Sequence, residues 1–70
     1  MRRFDSAALY AALNEKRIQS GMTWKQVAAE TGVSEATLKR TGEGGRMEVD
    51  GMLAMVHWLG VPVEAFVRER

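Results

Sequence analysis

The sequence predicts an all-α fold, five short helices around one core, and three observations carry that expectation. Apolar residues recur at three- and four-residue spacing in successive stretches. Capping residues open these stretches, or glycines close them, which is the punctuation of helix ends. No stretch alternates apolar and polar residues in the manner of a strand. The 70 residues make one domain. Residues 1–5 are set apart as a basic N-terminal arm, and residues 6–70 form a single folded unit.

The elements follow in order. Met1 to Asp5 is short and basic and is expected to be loose. The first helix runs from Ser6 to Gln19, with Leu9, Tyr10, Leu13, the stem of Arg17 and Ile18 near one face. Ser20 and Gly21 end it. Thr23 caps the second helix, and Gln26 three residues later gives the Ser/Thr-x-x-Glu/Gln spacing of a reciprocal cap. That helix spans Trp24 to Thr31, and Gly32 stops it in the left-handed conformation that glycine adopts cheaply. Ser34 caps a third helix over Glu35 to Thr41, with Leu38 as its clearest inward residue. Gly42, Gly44 and Gly45 form a connection that no helix tolerates cheaply. The fourth helix covers Val49 to Leu59, with Asp50 in its first turn, where the helix dipole favours a carboxylate. Val49, Leu53, Val56 and Leu59 supply its core stripe, with Met52 between them. Gly60 ends it, and Pro62 starts a short fifth helix with Ala65, Phe66 and Val67.

Composition narrows the function classes. Folding hides only about 60% of the surface of so small a chain, so its stability margin is thin. There is no cysteine and one histidine, so neither disulfides nor a metal site supplement the 46% apolar content. No cofactor is expected. Asp5 interrupts the start before a secretion signal develops, and the apolar region Gly51–Val67 is too short and too broken to span a bilayer. A cytoplasmic location without membrane contact is expected. Net charge is +1. The excess sits in residues 23–46, where Lys25, Lys39, Arg40 and Arg46 face Glu30, Glu35 and Glu43.

Two short helices joined so tightly must cross steeply, and Ala28 and Ala29 are small enough for the crossing. Residues 23–44 therefore read as a helix-turn-helix. Over a longer span, Leu13 to Phe66, the chain resembles the Cro and lambda-repressor-like (XRE-type) DNA-binding domains. The matching pieces are Gly21-Met22-Thr23, Val27-Ala28, Gly32-Val33-Ser34, Leu38, Gly44, Leu59-Gly60-Val61 and Phe66. Three positions depart from the family pattern. Trp24 stands in place of a usual glutamine, Thr41 in place of a large aliphatic, and Gly42 in place of a glutamate. The last two suggest that the third helix ends early.

The resemblance implies that the third helix enters the major groove of double-stranded DNA. Ser34, Glu35, Ala36, Thr37, Lys39 and Arg40 then hold the base-reading positions. The planar fork of Arg40 suits guanine O6 and N7, although a cation at a helix end also suits the dipole. Lys39 suits guanine or a phosphate. Ala36 suits a thymine methyl or is simply a good helix former. Glu35 can accept from cytosine N4 or serve the dipole of its own helix. Phosphate contacts fall to Thr23, Trp24, Lys25 and Arg46, together with the N–H groups opening the second helix. Met55 and Trp58 lie off the expected core stripe and mark a homodimer contact, in keeping with the symmetric sites of such readers, or else Trp58 caps the core beside Phe66 or Phe4.

The implied function is a small sequence-specific transcriptional regulator, repressor-like, controlled by its concentration or by a separate regulatory protein. A second reading is a protein-interaction module, antitoxin-like or a phage accessory factor, on the same scaffold. Catalysis is not expected, because no nucleophile–base pair or phosphate loop can be assembled from these residues.

Overall fold

In the computed structural model, residues 1–44 and 47–69 are described, and four α-helices account for most of them. A three-residue strand, β1 (Arg2–Phe4), leads into α1 (Ser6–Gln19), α2 (Trp24–Thr31), α3 (Glu35–Thr41) and α4 (Val49–Leu59). A 3₁₀ turn over Val63–Phe66 then feeds β2 (Val67–Glu69). The two strands pair antiparallel, with Arg2 opposite Glu69, Arg3 opposite Arg68 and Phe4 opposite Val67.

The five-helix, all-α expectation is therefore corrected at both chain ends. The region after Pro62 makes a single 3₁₀ turn, closed by the Ala65 N–H donating to the Pro62 carbonyl at 3.0 Å. So few residues cannot recover the nucleation cost of an α-helix. The chain extends instead and finds a partner in residues 2–4, which do not trail as a loose arm. The Asp5 N–H donates to the Phe66 carbonyl at 2.7 Å, and the Phe4 and Phe66 rings meet at 6.0 Å. These contacts tie the ribbon to the helical core.

Leu9 and Leu13 of α1, Val27 of α2, Leu38 of α3 and Met55 of α4 form the fully enclosed centre. Local chemistry sets the helix ends. At α2 the Thr23 N–H donates to Gln26 Oε1 at 2.8 Å, and the Gln26 N–H returns to Thr23 Oγ1 at 3.2 Å. Gly32 stops α2 at φ +76°, a left-handed value that any side chain would strain.

Helix α4 is rotated from its expected phase. Met55 and Val56 are buried, whereas Val49 is 62% and Leu53 50% exposed. Asp50 and His57 mark one polar side, which Leu53 shares, but the other sides are apolar, so periodicity did not single out the buried face. Packing of α4 on α1 and α2 did, with Met55 reaching Thr41 of α3. Thr41 is 5% exposed, its hydroxyl donates to the Thr37 carbonyl at 3.0 Å, and it touches the Met55 sulfur at 3.6 Å. The long, flexible Met55 thus fills the volume that a small Thr41 leaves open. Ile18, expected inward, is 61% exposed at the end of α1.

Candidate nucleic-acid interface

Helix α3 stands outside the core on one side. Leu38 and Thr41 point in, and Glu35, Ala36, Lys39 and Arg40 share the exposed face. The spacing i, i+1, i+4, i+5 makes that face continuous. The Arg40 guanidinium has no hydrogen-bond or ionic partner among the described residues. Lys39 Nζ lies 3.9 Å from Glu35 Oε2, an exposed i, i+4 pair worth about 0.3–0.5 kcal/mol. So weak a contact can open when either group meets another partner. Glu35 is thereby partly neutralised on its own helix.

Ser34 and Thr37 are committed to the cap. The Thr37 N–H donates to Ser34 Oγ at 3.2 Å, and the Ser34 hydroxyl donates to Thr37 Oγ1 at 2.8 Å. Of the six expected base-reading residues, the structure joins four on the open face and gives these two a structural task. Helix α3 covers Glu35–Thr41, the bounds expected for it, and a packing reason accounts for the glycine that follows. A Cβ at Gly42 would lie 2.9 Å from Tyr10 Cγ, closer than carbon atoms pack. Glycine lets the end of α3 rest on the Tyr10 ring.

That ring continues to the start of α2. Tyr10 and Trp24 stack with centroids 5.4 Å apart, and the Arg17 guanidinium lies 4.9 Å from the Trp24 ring. Arg17 is held by Asn14 Oδ1, at 3.1 and 2.8 Å, and by the Met22 carbonyl at 3.1 Å. Trp24 is therefore first a packing residue that fixes α2 on α1. Its indole N–H has no protein partner among the described residues. Thr23 has its oxygen occupied by the cap, which leaves the N–H groups of Trp24 and Lys25 facing outward. Lys25 is exposed and unpaired among the described residues. Arg46, the remaining expected phosphate contact, lies outside the described residues.

No family model, curated protein or solved structure matches this chain. Among the described residues, no helix is long and apolar enough to cross a membrane.

The pair expected to make a dimer contact is placed otherwise. Met55 is wholly inside the core. Trp58 is half-buried, and its indole N–H donates to Glu30 Oε1 at 2.8 Å. Lys16 sits 4.2 Å over the same ring and donates to the Trp58 carbonyl. Trp58 thus links α4 to α1 and α2. The Tyr10–Trp24–Arg17 assembly escaped sequence reasoning because its members belong to two helices. The signal available was Tyr10 and the Arg17 stem at the edge of the apolar face of α1, with a second aromatic, Trp24, opening α2.

Proposed function

We propose that this chain is a small sequence-specific DNA-binding regulator, repressor-like, that sets α3 into the major groove and grips the backbone with the start of α2. One observation carries the reading. Glu35, Ala36, Lys39 and Arg40 form a single exposed face, with the Arg40 guanidinium unengaged by any described residue. Such a fork can hold guanine O6 and N7 in a bidentate contact, the commonest specific one in the major groove. Lys25 and the open N–H groups beside it supply a backbone contact that positions α3. The likeness to Cro and lambda-repressor-like domains is proposed for the helix-turn-helix itself, with the chain ends built differently. A cytoplasmic setting, action as a homodimer on two-fold sites, and control by a separate protein belong to the same reading. Met55, enclosed in the core, does not offer the dimer a surface.

Selection of bound duplexes from a random pool, followed by Arg40→Ala, tests the reading. The variant should lose about 1–3 kcal/mol of discrimination at one base pair. Unchanged discrimination refutes the role of Arg40. A protein-interaction module is the second reading, favoured by the net charge of only +1 and by the exposed Val49 and Leu53. Complete absence of binding to random duplexes at low salt would select it.

A further inference from the structure

The terminal ribbon carries an arrangement of charge that the fold alone does not explain. Its register sets Arg3 directly opposite Arg68. Residues opposed in this way emerge on the same face, and like charges there destabilise the pair. Arg68 is partly balanced, since its Nε lies 3.4 Å from Asp5 Oδ2 and its Nη1 donates to the Ala65 carbonyl at 2.8 Å. Arg2, directed to the other face, pairs with Glu69 at 3.5 Å. Arg3 has no such partner among the described residues. It lines an open groove of about 290 Å³ together with Arg68, Asp5, Ala7 and Gly44. Two guanidinium groups against one carboxylate leave the groove cationic.

Its position gives the charge a direction. Gly44 belongs to the turn that follows α3, so the groove lies at the C-terminal end of that helix. Along one flank of α1, at spacing i, i+3, i+7 and i+10, stand Ala7, Tyr10, Asn14 and Arg17. Ala7 lines the groove, Tyr10 meets Gly42 and Trp24, and Arg17 covers Trp24 at the start of α2. At 1.5 Å per residue, Ala7 and Arg17 are about 15 Å apart. The ribbon groove and the start of α2 are thus separated by a span comparable to the major groove, which is about 12 Å wide.

We propose that the Arg3–Arg68 groove is a second DNA-backbone contact, gripping a phosphodiester on the strand across the major groove from the one held by Lys25. An anion seated there offsets the repulsion of the opposed arginines. The inference rests on the DNA-binding reading but requires more than it. Duplex affinity is measured against salt for the full chain, for Arg3→Ala and Arg3→Gln, and for Arg3→Lys. Loss of one phosphate contact should lower the slope of log affinity on log salt by about 0.9 in the two neutral variants. The ratio of parent to variant affinity then shrinks about eightfold for each tenfold rise in salt. Arg3→Lys should keep the slope, and base preference should be the same in all four proteins. Phosphate ethylation should interfere on both strands with the parent protein, and Arg3→Ala should abolish the interference on one strand only. An unchanged slope, or interference identical with and without Arg3, overturns the groove while leaving α3 as the reader. Failure of the parent protein to bind any duplex overturns both.

Discussion

Adding one methyl group at Gly42 probes the joint that connects α1, α2 and α3. The Cβ of Gly42→Ala would stand 2.9, 3.0 and 3.2 Å from Cγ, Cδ2 and Cδ1 of Tyr10. Cγ is the root of the ring, so rotation about the side-chain axis does not clear it. The ring's other neighbour, Trp24 at 5.4 Å, limits retreat. Overpacking of this kind costs about 1–3 kcal/mol. Gly42 has φ −71°, which alanine adopts without strain, so restricting the unfolded chain returns about 0.4–1 kcal/mol. The net loss is at most about 2.6 kcal/mol and centres on about 1.3 kcal/mol. In a domain of this size the central value lowers the melting temperature by roughly 5–10 °C. Thermal melts of Gly42→Ala, Tyr10→Ala and the double variant, followed by circular dichroism, separate clash from propensity. With the ring gone, alanine at position 42 should be neutral or stabilising. A rise in melting temperature in the parent background, or an equal loss in both backgrounds, would refute the close approach. Because displacement of Tyr10 carries Trp24 with it, Gly42→Ala should also weaken binding to all duplexes alike.

Two substitutions in α4 test its rotation. Met55→Ala should cost about 2–5 kcal/mol in chemical denaturation, as a cavity opens beside Thr41. Leu53→Ala should stay within about 0.5 kcal/mol of the parent, and the reverse ranking would restore the phase that periodicity alone suggests. Glu35→Gln removes a carboxylate from the face of α3 and releases Lys39. Duplex affinity at low salt should rise for all sequences with base preference intact. Selective loss of preference at a C·G pair would instead identify Glu35 as a reader of cytosine N4.

Local hydrogen bonding and steric preference were sufficient for the four helices. The reciprocal cap of Thr23 and Gln26, the Ser34 cap and the stops at Gly32 and Gly60 each act within a few residues, so their chemistry is readable along the chain. The outward face of α3 was legible for a related reason. Leu38 is the helix's one large apolar side chain, and its burial leaves the period no freedom over Glu35, Ala36, Lys39 and Arg40. Three-dimensional packing decided the rest. Helix α4 is apolar over more than one face, so its buried face depended on how it packs against α1 and α2 and on the volume that Thr41 leaves to Met55. Gly42 looked like a fraying helix end until the Tyr10 ring was brought against it. Three-residue strands are too short to show a period, and their pairing joins the two ends of the described chain. The opposition of Arg3 and Arg68 is a consequence of register, a property that neither segment possesses until both are held on the same core.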